Sequence, residues 1–181
     1  VGTQDLIMKG LGWFIYFWQV DISRYPKCGE EIIVGTFAYE DRGSSEERNF
    51  YIKTVRDDII VRANSVWSLV DLAKLQIMRI PNEVMDRNRK RNEDKLDMEY
   101  LGRRIRYSGE CNIRKVGEHI VSRLELDSNR HLNNSEYIKI ALATIADFNP
   151  SSVTRLCIEY RKQAVEGDLL NIFLAREDEM I

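Results

Sequence analysis

Apolar residues near the start of the chain form a continuous run that predicts a buried β-strand. Residues 11–24 are rich in aromatic side chains, and both faces of the run are apolar as far as Trp18. A strand that is apolar on both faces is buried on both faces. β-Branched and aromatic residues between turn signals predict three further strands, at 31–39, 50–55 and 59–70.

The remaining pattern predicts loops, a linker, one more strand and one helix. Residues 41–47 are polar and are predicted to form a loop or the end of a hairpin. Residues 85–95 contain almost no apolar side chain, and we interpret them as a linker or an exposed helix between two halves. A strand is predicted at 118–126 and a helix at 135–147.

The predicted helix at 135–147 is apolar around most of its circumference. Asn133, with Glu136 three residues later, has the pattern of an N-cap and its capping-box partner. A helix that is apolar on most sides is buried on most sides. A single buried helix wrapped by a curved antiparallel sheet is the hotdog fold, so the sequence predicts this α+β architecture.

An internal repeat indicates that the fold occurs twice. A shift of 138 positions places Val20-Asp21-Ile22 on Ile158-Glu159-Tyr160 and Gly29-Glu30 on Gly167-Asp168. Two strands and their turn therefore recur with matching polarity. The helix of the first half then maps mostly before residue 1, and two strands of the second half map beyond residue 181.

We therefore expect a tandem double hotdog, with a sheet wrapped around a central helix in each half, truncated at both ends. The predicted division is a first half at 1–84, a partly basic linker at 85–112 and a second half at 113–181. Such a protein is internally a pseudo-dimer, and either a monomer or a homodimer of these units is compatible with the sequence.

Composition and charge narrow the classes of function. The formal net charge of -2 argues against a nucleic-acid partner. The three cysteines are scattered without a C-x-x-C pair, which is typical of a reducing compartment. No signal-peptide pattern and no bilayer-spanning apolar stretch are present, so we expect a cytoplasmic protein. The two histidines are far apart in sequence and predict no metal site.

The candidate chemistry lies directly before the predicted helix, in the run L-D-S-N-R-H-L-N-N. Asp127, Asn129 and His131 place a carboxylate, a carboxamide and an imidazole at alternate positions. Histidine, with an unperturbed pKa of ~6.5, suits a general base, and N–H groups at a helix start suit an oxyanion. Two simpler interpretations stay open: Asp127 and Asn129 as turn formers, and His131 as a hydrogen-bonded core residue.

This run resembles the D-x-N-x-H-x-x-N signature of the acyl-acyl-carrier-protein thioesterases of plant plastids and of bacteria. Further stretches are similar to the same family: Asp21–Pro26, Arg48-Asn49-Phe50, Arg62–Trp67, Arg79-Ile80-Pro81 and Tyr160-Arg161-Lys162. The resemblance covers roughly residues 11–175. It implies a bacterial enzyme of fatty acid biosynthesis that hydrolyses fatty acyl-carrier-protein thioesters to free fatty acid, without a cofactor.

The resemblance also assigns catalytic roles. The family's Asp, Asn and His fall on Asp127, Asn129 and His131, and its strand Glu falls on Gln163. Glutamine cannot act as a base, so we expect slower turnover than with Glu. The next position, Cys in plant members, is Ala164, which excludes a thiol nucleophile there.

Substrate and partner contacts follow from the same resemblance. The aromatic strands supply candidate acyl-chain contacts at Trp13, Ile15, Phe17 and Trp67. The implied partner is acyl carrier protein with its phosphopantetheine-linked acyl chain. Because this carrier is acidic, basic residues are candidates for docking: Arg87, Arg89, Lys90, Arg91, Arg103 and Arg104.

Two other functions fit the sequence. One is a related acyl-CoA thioesterase, which only substrate competition separates from the first. The other is a non-enzymatic acyl-binding hotdog protein, which the Gln163 departure favours slightly.

Overall fold

The computed structural model of the chain describes residue 6, residues 8–82, residue 85 and residues 95–106, 112–146 and 148–176. Contacts divide the chain into two compact units. The first unit comprises Val1–Ile105 and Ser151–Tyr160, and the second comprises Arg106–Pro150 and Arg161–Ile181. No helix among the described residues has the length and apolar composition needed to cross a bilayer.

The secondary structure of the two units is mostly β. The first unit contains β1 (Leu11–Ile22), β2 (Ile32–Arg42), β3 (Ser45–Thr54), β4 (Ile59–Asp71), β5 (Gln76–Ile77) and β7 (Arg155–Glu159). The second contains β6 (Asn112–Ile120), a 3-10 turn at Arg123–Glu125, helix α1 (Asn134–Ala143) and β8 (Leu169–Arg176).

The first unit is an antiparallel sheet in the order β2-β3-β4-β1-β7, with β5 paired to the end of β4. These strands confirm the predictions at 11–24, 31–39, 50–55 and 59–70, because β-branched and aromatic residues suit a pleated surface. Asp57 lies in the tight turn between β3 and β4 in a left-handed conformation, with φ of 71°. Aspartate adopts that region more readily than most residues.

Of the two alternatives predicted for 41–47, the hairpin end is confirmed and the polar loop is wrong. β2 continues to Arg42 and pairs it with Ser45, so only two residues make the turn. Gly43 allows this tight hairpin because its φ is 68°. Both glutamates that follow are buried, at 7% exposure each, and both are paired with arginine: Glu46 with Arg48 and Glu47 with Arg103.

A β-bulge in β1 separates the two faces of the sheet. Ile15 lies opposite Trp67 and Phe17 lies opposite Val66, so Tyr16 is an extra residue on β1. Side chains alternate between faces, and an extra residue moves all later side chains to the other face. Trp13 and Ile15 therefore share one side with Trp67, whereas Phe17 lies on the opposite side.

We call these two sides the aromatic face and the strap face. The aromatic face carries Trp13, Ile15, Trp18, Phe50 and Trp67, and the rings of Trp18 and Phe50 lie 4.7 Å apart. The strap face carries Phe17, Gln19, Asn49 and Asn64. It is covered by the strap, which we define as residues 95–106.

Buried amide side chains fix the strap to the sheet. Gln19 is fully buried; its Nε2 donates to the Glu99 carbonyl at 2.6 Å, and its Oε1 accepts the Leu101 N–H at 3.0 Å. Asn49, also fully buried, accepts the Leu96 N–H at 3.0 Å. A buried amide without partners is costly, so these polar residues require the strap.

Strand β7 pairs with β1 in a register that supports the internal repeat. The pairing is centred on Gln19 opposite Cys157, which is 138 positions further along the chain. The outermost pairs, two residues to either side, are Phe17 with Glu159 and Asp21 with Arg155. The same shift of 138 exchanges these two pairs, as a two-fold axis would in a symmetric dimer interface. Two bonds from Arg155 to Asp21, at 2.6 and 3.2 Å, join the strands.

The second unit packs β6, β8 and α1 around a small core of Val121, Leu132 and Ala164. The predicted strand at 118–126 is wrong at both ends, because β6 spans Asn112–Ile120 and a 3-10 turn follows. The turn forms because Ser122 and Glu125 make a capping box at its start. The backbone therefore leaves the sheet six residues earlier than the apolar pattern indicated.

Helix α1 is shorter and less buried than predicted. It ends at Ala143, and none of its side chains is fully buried among the described residues. Tyr137 and Ile140 pack on the core of the second unit, whereas Ala141 and Ala143 are exposed. Alanine favours helices without needing burial, so its presence on the outer side made the helix look apolar all round.

The strap generates a stability prediction. We expect Gln19→Ala to lower the free energy of unfolding by about 2 kcal/mol, because the Glu99 carbonyl and the Leu101 N–H of the strap both lose their partner. Gln76→Ala is the matched control, since Gln76 is exposed in β5 and should cost less than about 0.5 kcal/mol. Urea unfolding measures both, and equal effects would contradict the role of Gln19.

Candidate functional site

The candidate catalytic run forms a closed loop in the second unit. Leu126 and Leu132 are bridged antiparallel, and the Asp127 N–H donates to the His131 carbonyl at 2.7 Å. Inside the loop, the Arg130 N–H donates to the Asp127 carbonyl at 3.1 Å, and Arg130 has a φ of 63°. A non-glycine residue in this conformation is uncommon and occurs in tight turns and at functional sites.

The carboxylate of Asp127 organises the backbone of this loop. Its Oδ1 accepts the Asn129 N–H at 2.8 Å and the His131 N–H at 3.1 Å. Both bonds go to main-chain groups, so the carboxylate does not orient either side chain directly. The turn-former interpretation of Asp127 is thus correct for its contacts, and the residue holds the two neighbours in place.

The side chains of Asn129 and His131 are available for other partners. Asn129 is exposed and His131 is half-buried. Within the described parts of the chain, neither side chain makes a hydrogen bond. This argues against the interpretation of His131 as a hydrogen-bonded core residue, because a buried imidazole normally has a partner.

Gln163 lies one residue from the backbone that closes the loop. The Leu132 N–H donates to the Ala164 carbonyl at 2.8 Å, so the segments of His131 and Gln163 run side by side. Gln163 is exposed, and Ala164 is 4% exposed in the core with Val121. Ala164 therefore occupies a packing position.

The start of α1 is already occupied by its own cap. Asn133 Oδ1 accepts the Ser135 N–H at 3.0 Å, and the Asn133 carbonyl accepts the Glu136 N–H at 2.9 Å. The expectation that these N–H groups bind an oxyanion is therefore wrong for Ser135 and Glu136. The Asn129 carboxamide is a further candidate donor, on the loop itself.

A histidine–carboxylate pair beneath the loop was missed by the sequence interpretation. His119 Nε2 lies 3.0 Å from Glu125 Oε2, and the Glu125 carbonyl accepts the Asn133 N–H at 2.9 Å. The Ser122 N–H, and then His119, hold the pKa of Glu125 below its usual range. The signal was the S-x-x-E spacing of a capping box from Ser122.

Three of the four predicted acyl-chain contacts share one surface. Trp13, Ile15 and Trp67 are half-buried on the aromatic face, and Ile15 lies directly opposite Trp67. Phe17 is 1% exposed and lies on the strap face. Grouping Phe17 with the other three was therefore wrong, because the bulge at Tyr16 turns its side chain to the opposite face.

The predicted docking cluster is only partly open to a test. Arg87, Arg89, Lys90 and Arg91 lie outside the described residues. Arg104 is exposed, but Arg103 is bonded to the Glu47 carboxylate and to Ser45 Oγ. Arg103 therefore fastens the strap to the sheet, and its charge is paired with the Glu47 carboxylate.

The Glu47 carboxylate also affects Tyr39. Burial of the phenol, and then this carboxylate, raise the pKa of Tyr39.

The second unit therefore offers an imidazole, a carboxamide and the exposed amide of Gln163 around one loop. These groups suit general-base attack by water on a carbonyl, because such a reaction needs a proton acceptor and a donor for the oxyanion. No three His, Cys, Asp or Glu side chains of the described ranges are grouped as a metal site requires.

Comparison with known families agrees with this chemistry. The family model of the acyl-ACP thioesterase N-terminal domain matches residues 1–87. The model of the acyl-ACP thioesterase C-terminal domain matches residues 110–180. An acyl-[acyl-carrier-protein] hydrolase of Cuphea viscosissima is 25% identical over 97% of this chain. A palmitoyl-acyl carrier protein thioesterase of Gossypium hirsutum is 25% identical over 93% of it.

Solved structures show the same fold. An acyl-ACP thioesterase from Bacteroides thetaiotaomicron superposes with a TM-score of 0.80 at 19% identity, covering 94% of this chain and 68% of its own. A 12:0-ACP thioesterase from Umbellularia californica gives 0.74 at 18% identity, covering 97% of this chain and 80% of its own. These likenesses confirm the predicted fold class.

The lengths compared are unequal: this chain spans 43% of the Cuphea relative and 42% of the Gossypium relative. Both family models nevertheless match in order along it, and the candidate loop lies within the second. The chain belongs to the acyl-ACP thioesterase family.

Proposed function

We propose that the protein hydrolyses fatty acyl-acyl-carrier-protein thioesters to free fatty acid and holo-carrier protein. The observation that carries the proposal is the loop in which Asp127 fixes the backbone. There the side chains of Asn129 and His131 make no hydrogen bond to any part of the chain that the structure describes. Membership of the family supports the same reaction.

The mechanism uses water as the nucleophile. His131 accepts a proton from water as the water oxygen bonds to the thioester carbon, and the Asn129 amide donates to the developing oxyanion. The carbon–sulfur bond then breaks, and the leaving thiolate takes the proton from protonated His131. Gln163 orients the attacking water through its amide and moves no proton. The products are a carboxylic acid and a thiol.

The substrate side of the proposal rests on the first unit. Trp13, Ile15 and Trp67 form an apolar surface for the fatty acyl chain, because burial of methylene groups on such a surface is favourable. Arg104 and the basic cluster Arg87–Arg91 are proposed to attract the acidic carrier protein with its phosphopantetheine arm. Partly buried Arg103 is left out of this role.

The proposed setting is the reducing cytoplasm of a bacterium, with a monomer or homodimer of double hotdogs. Cys28 and Cys157 are free thiols, which supports a reducing compartment. The division at 1–84, 85–112 and 113–181 is proposed for the two repeats. Strand β7 then belongs to the second repeat although it completes the sheet of the first unit.

One observation favours a second candidate function. Gln163 stands where the family carries a catalytic Glu, and loss of that base is compatible with an acyl-binding protein that does not turn over. Acyl-CoA thioesters remain alternative substrates, since the aromatic face contacts only the acyl chain.

The two histidines allow a matched test of the reaction. We expect His131→Ala in the full-length gene product to lower kcat at least 100-fold, because the general base is lost. His119→Gln should retain activity, since glutamine can still bond to Glu125. The measurement is free-thiol release from C8 to C18 acyl-carrier-protein thioesters, with the acyl-CoA series alongside.

Equal activities in the two variants would remove His131 from the mechanism. No turnover by the unmodified protein, together with binding of fatty acids, would support the acyl-binding function instead. A higher kcat/KM on the CoA series would assign the acyl-CoA alternative.

Asp127 generates a prediction about shape and charge. Asp127→Asn keeps an oxygen that can accept both N–H groups, so kcat should fall less than about tenfold. Asp127→Ala removes this acceptor and lets the loop shift, and a displacement of about 1 Å can cost roughly 100-fold. A loss in the Asn variant as large as in the Ala variant would show that the negative charge itself matters.

At position 163 we predict a variant with higher activity, whereas the variants at His131 and Asp127 lose activity. Gln163→Glu adds a second base beside His131, and we expect kcat at neutral pH to rise about tenfold or more. Val165→Glu is the matched control, because it adds the same charge at an exposed position two residues along the chain. A gain in the control, or none in either variant, would refute a role for position 163 in proton transfer.

A further inference from the structure

The aromatic face contains a partly buried ion pair, between buried Glu46 and half-buried Arg48, that the proposed reaction does not use. Glu46 on β3 lies opposite Trp67, and its neighbour on the same face, Arg48, lies opposite Ser65. Glu46 is 7% exposed, and its Oε1 lies 3.2 Å from Arg48 Nη2. A buried ion pair contributes little to stability and often costs stability, so its position here needs another explanation.

The pair stands at the border of the apolar surface. One row across the sheet runs from Ile15 on β1 through Trp67 on β4 to Glu46 on β3 and Asp41 on β2. The first two side chains are apolar and the last two are carboxylates. Adjacent strands are about 4.8 Å apart, so the surface changes from apolar to charged over roughly that distance.

The charged border is held in place by neighbouring polar groups. Arg48 Nη1 donates to Thr36 Oγ1 at 3.3 Å, and the Arg48 carbonyl accepts from Ser65 Oγ at 3.2 Å. Trp67 Nε1 donates to the same Ser65 Oγ at 2.7 Å, which fixes the indole beside the pair. The boundary between indole and ion pair is therefore rigid, as a selective surface requires.

We infer that the Glu46–Arg48 pair is a specificity-determining element that limits the length of the acyl chain bound on Trp67 and Ile15. This inference rests on the proposed function and names its substrate class, fatty acyl chains that end before the charged border. Each methylene placed on apolar surface gains about fourfold in affinity, whereas one placed over a buried ion pair desolvates charge and gains nothing.

The test replaces the pair by apolar residues. In Glu46→Leu/Arg48→Leu, the ratio of kcat/KM for C16 over C12 acyl-carrier-protein thioesters should rise at least fourfold. Glu40→Leu/Arg42→Leu is the matched control, because this i,i+2 pair of the same residues is exposed and lies on the strap-face side of β2. The control ratio should stay at the wild-type value.

Two further variants separate specificity from folding. The charge swap Glu46→Arg/Arg48→Glu keeps an ion pair and should restore the wild-type ratio. If thermal unfolding shows that the double leucine variant is not folded, Glu46→Gln and Arg48→Met are measured singly, with the same direction expected. An unchanged ratio in any folded variant that lacks the pair overturns the inference.

A binding assay tests the inference even if the proposed hydrolase function fails. If the unmodified protein releases no thiol, tryptophan fluorescence titration with dodecanoate and palmitate measures binding on the aromatic face. The length limit should then appear as a Kd ratio that shifts at least fourfold in the variant without the pair. In this binding assay, an unshifted Kd ratio overturns the inference. If the unmodified protein does release thiol but the variant leaves the kcat/KM ratio unshifted, the inference is overturned and the hydrolase function stands.

Discussion

Strand β1 is hydrogen-bonded along both edges, and the extra residue Tyr16 in it determines what each face of the first unit's sheet presents. Without this bulge, the alternation of a regular strand would place Phe17 with Trp13 and Ile15. With it, the aromatic face keeps Trp67 and Ile15 together, and Gln19 turns to the other side. The composition of the aromatic face, the attachment of the strap and the symmetric pairing with β7 all depend on the register of β1.

The strap face is covered because its buried amide side chains need hydrogen-bond partners. Gln19 and Asn49 are fully buried amides, and a buried amide must be hydrogen-bonded to be tolerated. Their partners are main-chain groups of a segment some 50 to 80 residues further along the chain. A stretch that looks like a solvated linker in composition is thereby attached to the sheet, and the charge of Arg103 is neutralised by Glu47.

The candidate loop depends on the same kind of interaction at smaller scale. Asp127 accepts two main-chain N–H groups within four residues, and the side chains of Asn129 and His131 make no hydrogen bond among the described residues. The spacing D-x-N-x-H identified these residues because a local loop is encoded locally. The sequence also identified Asn133 as the helix cap, but it did not reveal that His119 pairs with Glu125 below the loop.

The sequence by itself determined strands β1 to β4, the helix with its Asn133 cap, the repeat of 138 residues and the residues of the candidate loop. These features arise from local propensity, capping and spacing, which act over a few residues or recur along the chain. Only the tertiary structure decided the face of Phe17, the burial of Glu46 and Glu47, the attachment of the strap and the partial exposure of α1. Each of these depends on a register or a partner distant in sequence, and no local pattern encodes that partner.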